Sequence, residues 1–400
     1  MQNNKEIFIE PWIDETYWRA LDFSSLKTPI YVVSEEKLEK NLQILDMVQK
    51  EANCKILMAL KGFSMFSIFP LVKKYLVGTE ASSVNEAKLG AKEFGGENHV
   101  FSPSYTEQNI KEYLKYSDHL VFNSFSQWNK FKDLCKYKIS AGIRVNLEHS
   151  ETDILMYDPS RPNSQFGVTR KNFEAHNLGG IEGLHFHNLC ELNADALERS
   201  LKVFEEKFGE FLPKMKWVNF GGGHHITRCD YDVELLINLI KDFKKRYPHL
   251  EVYLEPGEAI ALNSGILIGQ VVDIKNNGMN IAILDVSAAT HMPDVLEMPY
   301  LPTILGATGI TKEDQVATHK NIYRLAGSSC LTGDIIGDYS FNEPLQLGQK
   351  IVFLNMAIYT MVKNNTFNGI NLPSIAIINK KGKIKIIKKF NYKDFKNRLS

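Results

Sequence analysis

Eight short apolar runs alternate with amphipathic stretches between residues 55 and 260, and this alternation constrains the fold more than any other feature of the chain. The runs are 55–60, 76–80, 98–101, 118–122, 139–145, 181–187, 215–220 and 250–255, each of strand length. Helical periodicity fills most of the gaps. In 231–246, Val233, Leu236, Ile237, Ile240 and Phe243 share one apolar face. Eight strand–helix alternations predict an α/β chain built on a (β/α)8, TIM-like barrel. A doubly wound parallel sheet is the alternative, because its local pattern is the same. The stretch 147–180 has no clear period and is rich in Pro, Asn and Asp; it is expected to be a long loop after the fifth strand.

After about residue 265 the texture changes. Strand candidates 265–274, 280–286, 320–326, 350–357 and 374–388 follow one another without long helices. This predicts a C-terminal β-sandwich or β-barrel domain. The early run Ile30-Tyr31-Val32-Val33 precedes the barrel and is expected to join it. The expected division is therefore 1–35 with the β domain, 36–262 as the barrel and 263–400 as the β domain. The Lys-rich end near 380–389 reads as a solvated strand face, with Ile384, Ile386 and Ile387 interleaved.

Lysine plus arginine and aspartate plus glutamate both number 47, so there is no basic footprint for nucleic acid and no pull toward anionic membranes. No apolar run approaches a bilayer span, and residues 1–6 lack the apolar core of a signal peptide. Five cysteines, Cys54, Cys135, Cys190, Cys229 and Cys330, are scattered with no CxxC pair. That pattern fits a reduced, cytoplasmic protein.

Barrel enzymes carry their reactive groups at the C-terminal ends of the strands. Lys61 closes the run Ile56–Leu60 there. Burial at such a place lowers a lysine's pKa and makes its amine a nucleophile suited to a Schiff base with an aldehyde such as pyridoxal 5′-phosphate (PLP). Taken alone, Lys61 reads as a surface lysine capping a strand. The other strand ends are polar as well: Glu80, Ser82 and Ser83; Ser102; Asn123 and Ser124; Arg144 and Asn146; His185 and His187; Gly221-Gly222-Gly223-His224-His225; and Glu255-Pro256-Gly257-Glu258. Their convergence on one rim is the argument for a site.

Gly221–Gly223 would let the backbone approach a phosphate, or would simply make a tight turn. His185 and His187 alternate and are expected to face one side. They read as a metal pair completed by His224, His225 or Asp285, as a histidine stacked on an aromatic cofactor, or as core histidines. Glu255 could hold a pyridine nitrogen protonated. Cys330 lies between turn-forming residues; it is a candidate general acid or a small buried apolar residue.

Taken together these residues resemble the fold-type III PLP-dependent decarboxylases, the alanine racemase-like group that includes ornithine and diaminopimelate decarboxylases. The matching order is Thr28-Pro29-Ile30-Tyr31, Ala59-Leu60-Lys61, Ser82–Glu86, Arg144-Val145-Asn146, Gln165-Phe166-Gly167 and Gly183–His187. It continues through Gly221–Gly223, Glu255-Pro256-Gly257, Cys330 to Asp334, Tyr359-Thr360 and Phe367-Asn368-Gly369. Within that family the chain is most similar to the branch that decarboxylates carboxynorspermidine and carboxyspermidine to norspermidine and spermidine. The stretches that carry this are His187–Glu191, Gly221–Thr227, Glu255–Ala259 and His291–Tyr300.

The resemblance implies these roles. Lys61 forms the Schiff base with PLP, His187 stacks on the pyridine ring and Glu255 pairs with its nitrogen. Gly221, Gly222, Gly223 and Tyr359 hold the phosphate, and Cys330 protonates Cα after carbon dioxide leaves. Glu191, Asp294, Glu297 and Asp334 bind the amines of the substrate, and no metal is required. It also implies a cytoplasmic homodimer in which Cys330 and Asp334 come from the partner subunit.

Two departures from the family pattern stand out. Glu258 occupies the place of a phosphate-binding Arg. Leu331 follows Cys330 where diaminopimelate enzymes carry an acid, and Met298-Pro299-Tyr300 lacks their carboxylate-binding Arg. Loss of a cation and gain of Asp294 and Glu297 suit a distal amine, although both acids also suit a solvated surface. Rival readings are a diaminopimelate- or ornithine-type decarboxylase, a non-catalytic PLP-binding regulator and a racemase. Racemases of this fold place Arg, not Glu, at the pyridine nitrogen. A metal hydrolase leaves Lys61 unexplained.

Overall fold

The computed structural model describes residues 13–152, 154–298, 300–311 and 319–400. Pro299, within the stretch His291 to Tyr300, lies outside them. The chain divides into two compact units: Glu39–Ile260, and Ala261–Ser400 together with the described part of residues 1–38. With strands numbered along the chain, β1 (Ile30–Ser34) belongs to the second unit. The first unit holds β2 (Lys55–Ala59), β3 (Gly78–Ala81), β4 (Glu97–Phe101), β5 (His119–Phe122), β6 (Ser140–Arg144), β7 (Ile181–His185), β8 (Trp217–Asn219) and β9 (Glu251–Leu254).

These eight strands form a closed parallel barrel in sequence order, and β9 closes onto β2 through Lys55↔Tyr253 and Ile56↔Leu254. All eight expected strands are present. Their runs are buried almost end to end, as parallel strands covered on both faces must be. Side-chain caps start the helices between them: Ser83 accepts from the Glu86 amide, Thr106 and Asn109 form a capping box, and Asp232 accepts from the Leu235 amide. The helix Val233–Arg246 buries Leu236, Ile237, Ile240 and Phe243. A Cβ on Gly183 would lie 2.1 Å from the Trp217 ring, so that strand position admits no side chain.

A polar cluster fills the barrel at the N-terminal ends of its strands. His99 and His119 stack with ring centroids 3.8 Å apart. Glu97 accepts from Lys55 Nζ at 2.7 Å and from Tyr253 OH at 3.0 Å, and lies 3.4 Å from His99 Nε2. Burial pushes the His119 pKa down from 6.5 to about 3; His99 and Lys55 add to the shift and Glu97 opposes it. The unfolded chain therefore takes up this proton first. Stability is complete above pH 6.5 and is lost as pH falls toward 3, approaching about 1.4 kcal/mol per pH unit. His119→Phe keeps the stack and removes the titration. Urea unfolding over a pH series should show a shallower acid-side loss in the variant; identical slopes would remove His119 from the account.

The second unit contains β10 (Gly265–Asn276), β11 (Asn280–Leu284), β12 (Ala307–Gly309), β13 (Ile322–Ala326), β14 (Ile335–Phe341), β15 (Lys350–Phe353), β16 (Ser374–Ile378) and β17 (Ile384–Lys388). With β1 they make a nine-stranded mixed sheet, ordered β12-β14-β13-β11-β10-β1-β16-β17, with β15 also on β10. The N-terminal strand joins this domain as expected: β1 runs antiparallel to β10 and parallel to β16. Both faces are covered. Ile30, Val32, Ile266 and Ile268 enter one core, and Tyr31 and Leu267 enter the other, following the two-residue period.

The run 374–388 is a hairpin of two strands rather than one. β12 and β14 had no counterpart in the sequence reading. In β14, Gly337 and Asp338 interrupt the apolar pattern, yet Asp338 pairs with Arg324 on β13 at 2.8 and 2.9 Å. Among the described residues, no helix is long and apolar enough to cross a membrane.

Candidate active site

In the barrel unit the C-terminal strand ends converge as expected, with corrections in detail. Lys61 does not end a strand. β2 stops at Ala59, and Lys61 sits in the turn beyond it, where the Gly62 and Phe63 amides both donate to the Ala59 carbonyl. Its side chain is 36% exposed rather than buried, because the turn lifts it clear of the packed strands. Its Nζ lies 3.7 Å from Glu80 Oε2.

Glu80 is fully buried at the end of β3. Its Oε1 accepts from Ser82 Oγ at 3.3 Å, and its Oε2 has no hydrogen-bond partner. Burial pushes its carboxyl up to about 7, with Glu255 and Glu86 adding to the rise and Lys61 opposing it. A carboxylate poised near neutrality beside a lysine can exchange a proton with it.

Glu255 is 3% exposed. It accepts from Asn219 Nδ2 at 2.5 Å and lies 3.2 Å from His185 Nε2. Burial pushes this carboxyl up, but His185 and Lys61 outweigh it and hold the group below the usual carboxylate range. His185 stacks on Phe101 with centroids 5.6 Å apart, and burial favours its neutral form.

His187 lies two residues past the end of β7. Its Nδ1 accepts the Gly222 amide at 3.3 Å, and burial lowers its pKa well below the ordinary value. The Arg144 guanidinium lies against both the Phe101 and Phe166 rings, 4.4 and 4.6 Å from their centroids. It donates to the His187 carbonyl at 3.0 Å. Burial pulls its pKa down to about 10, so it remains a cation.

Close packing dictates the glycine loop. Gly221 and Gly223 have φ of 72° and 82°. A Cβ on Gly221 would lie 2.4 Å from the Phe186 carbonyl oxygen, and one on Gly223 would lie 2.1 Å from that of Leu189. The Gly221 amide donates to Asn219 Oδ1 at 2.8 Å. Two of the three glycine amides are thus engaged within the protein. Glu258 lies 3.5 Å from His225 Nε2, and Glu191 joins these two in one cluster. Burial pushes His225 down to about 3, so it is neutral between the two acids.

Metal-ligating atoms of His185, His187 and Glu255 lie within 4.8 Å of one another. His224, His225 and Asp285 are not in that group. His224 lies 3.4 Å from the Phe220 carbonyl. Asp285, in the β unit, accepts from Thr28 Oγ1 at 2.6 Å and the Gln270 amide at 2.8 Å.

The β unit holds the remaining expected residues. Cys330 is exposed, not a buried apolar filler. Tyr359 has a φ of 43° and precedes the helix Thr360–Lys363. Lys363 bridges Asp294 and Glu297. Asp334 is 3% exposed. It accepts from Ser287 Oγ at 2.7 Å, Ser329 Oγ at 2.5 Å, the Ser329 amide at 3.0 Å and the Ala289 amide at 3.2 Å. Asp294, Glu297 and Asp334, expected at substrate amines, are therefore engaged with partners in their own unit.

The sequence reading named Glu80 and Arg144 without a role and passed over Asn219. Strand-end position was the available signal for the first two.

Over residues 30–357 the chain matches the family described as pyridoxal-dependent decarboxylase, C-terminal sheet domain. It is 45% identical over 378 residues to a carboxynorspermidine/carboxyspermidine decarboxylase of Campylobacter jejuni, covering 93% of this chain and 98% of that protein. It is 42% identical to a carboxyaminopropylagmatine decarboxylase of Synechocystis, covering 94% and 96% of the two chains. The crystal structure of carboxynorspermidine decarboxylase from Campylobacter jejuni, complexed with norspermidine, superimposes with a TM-score of 0.86 at 44% identity. It covers 93% of this chain and all (100%) of that one.

Proposed function

Because the chain belongs to the carboxynorspermidine/carboxyspermidine decarboxylase family of PLP-dependent decarboxylases, we propose that it converts carboxynorspermidine or carboxyspermidine to norspermidine or spermidine. It is a decarboxylase of polyamine synthesis, and its cofactor is PLP. The observation that carries the reading of the site is Glu255. A buried carboxylate held ionised, with Asn219 and His185 as its hydrogen-bond partners, is suited to accept from a pyridinium nitrogen.

The residues fit the cofactor. Lys61 would hold its aldehyde carbon, Glu255 its ring nitrogen and His187 the face of the ring. Gly221–Gly223 and Tyr359 would serve its phosphate. When bound, PLP supplies the sink for the electron pair left by the departing carboxylate.

The protein's own work is to place charges and protons. Glu80 takes a proton from Lys61 Nζ, which frees the amine as a nucleophile and later returns it to the ammonium form. Asn219 and His185 keep Glu255 ionised, so that it would accept a hydrogen bond from a protonated ring nitrogen. Neutral His187, fixed by the Gly222 amide, would face the ring without competing for its proton. Arg144 holds the His187 backbone in place. Cys330 delivers a proton to Cα.

We assign ammonium groups of the substrate to Glu191, which clusters with Glu258 and His225. Asp294 and Glu297 can take an amine only by displacing Lys363. Asp334 fixes a loop rather than touching substrate. A homodimer with sites completed by Cys330 of a second copy agrees with the exposure of Cys330, and the cytoplasm agrees with its free thiol.

The Synechocystis relative supports a second substrate, carboxyaminopropylagmatine, whose name denotes a guanidine-bearing tail. A kcat/KM comparison across the three carboxylated amines, diaminopimelate and ornithine tests the assignment. The triamines should lead diaminopimelate and ornithine by about 100-fold or more, and differ from each other by about 10–200-fold, the range of one methylene. Preference for diaminopimelate would overturn it.

A further inference from the structure

A closed ring of hydrogen bonds ties the Cys330 loop into the β unit. The Cys330 amide donates to Asn368 Oδ1 at 2.7 Å. The Phe367 amide donates to Asn365 Oδ1 at 2.9 Å, and Asn365 Nδ2 donates to the Ala289 carbonyl at 2.9 Å. The Ala289 amide donates to Asp334 Oδ1 at 3.2 Å. Asp334 Oδ2 then takes the Ser329 amide and hydroxyl at 3.0 and 2.5 Å, which closes the ring at the residue before Cys330.

Asp334 anchors the base of this loop deep in the unit. The tip has no such anchorage: Cys330 is exposed and Leu331 is 44% exposed. Packing therefore does not fix the thiol. The Leu331 amide donates to Ser329 Oγ at 3.4 Å and the Leu331 carbonyl accepts from the Asp334 amide at 2.9 Å, while the Asn368 bond is the one made by Cys330 itself. Asn368 makes it from a left-handed backbone, φ 55° and ψ 12°, followed by Gly369 at φ 71°. Asparagine tolerates that conformation better than most residues, and its short side chain can still reach out as an acceptor. Backbone strain of this kind persists where surrounding contacts over-determine it.

We propose that Asn368 is a positioning residue that directs the Cys330 proton to Cα, which rests on the reading of Cys330 as the proton donor. After carbon dioxide leaves, the Cys330 S–H bond breaks and a C–H bond forms at Cα with the stranded electron pair. The thiolate regains its proton from water. If the thiol is out of place, solvent protonates the cofactor's own carbon instead. The substrate nitrogen then stays with the cofactor, and one water molecule releases the carbon chain as an aldehyde together with pyridoxamine phosphate. Both routes release one carbon dioxide and need no added oxidant.

The test is the ratio of aldehyde plus pyridoxamine phosphate to triamine, at equal carbon dioxide released. Asn368→Gly keeps the left-handed backbone and deletes the acceptor, so folding should be preserved. It should raise the ratio about tenfold or more, the scale of a small misplacement of a reacting group. Asn368→Asp keeps an acceptor oxygen and should restore a ratio near native. A native ratio in Asn368→Gly, with a raised ratio in Cys330→Ala, would overturn the positioning role while leaving the proton donor in place. A native ratio in Cys330→Ala would overturn the reading on which it rests.

Discussion

Replacing Lys61 by alanine is expected to lower turnover by about four orders of magnitude or more, the scale seen when a covalent nucleophile is removed. The absorbance of bound PLP at the edge of the visible should go with it. The geometry argues for a large effect. Lys61 is set in its turn by the Leu60 amide bonded to the Glu80 carbonyl at 2.9 Å, and by Gly62, where a Cβ would meet Gly257 Cα at 2.9 Å. Glu80 Oε2 lies 3.7 Å from its amine and is the proton acceptor in the proposed mechanism. Lys61→Arg separates charge from chemistry. It keeps a cation beside Glu80 but offers a guanidinium that does not act as a nucleophile. It should be about as inactive as the alanine variant. Full activity in either variant would remove Lys61 from the centre of the site.

The barrel was legible because parallel strands buried on both faces must be apolar along their whole length, and the loops between them must be polar. Eight such runs leave little else to build. The β unit was less legible. β14 carries Gly337 and Asp338 in mid-strand, and the reason they are tolerated, the Arg324 partner on β13, lies 14 positions away in sequence. The same limit governs the site. Lys61, His187, Glu255 and the glycine loop stand one or two residues past strand ends, and that position made them visible in the sequence. Charge was visible at Asp294, Glu297 and Asp334, but their partners were not. Lys363 is 69 residues from Asp294, and Ser287 is 47 residues from Asp334. An acid that looks available in one dimension is a fixed point of the fold in three. The three acids and their partners hold the segments bearing Tyr359 and Cys330.

Glu255→Gln is the second large effect. The substitution keeps shape and leaves Asn219 and His185 with a polar neighbour, but it removes the negative charge from a buried site. Without that charge the pyridine nitrogen loses the partner that keeps its proton, and the ring becomes a poorer electron sink. Turnover should fall on the order of 10³-fold, the scale of a lost electrostatic partner in a water-excluded site. Substrate binding should change far less, because Glu255 acts on the reacting ring and not on the amine tail. A loss confined to KM would instead make Glu255 a binding residue.

The charge state of the ring nitrogen is the measurement closest to the central claim. The holoenzyme, loaded with PLP enriched in ¹⁵N at the ring position, reports it directly by NMR. The account predicts the resonance of a protonated nitrogen through the neutral pH range in the native protein, and that of a neutral nitrogen in Glu255→Gln. A neutral ring nitrogen in the native protein would contradict it.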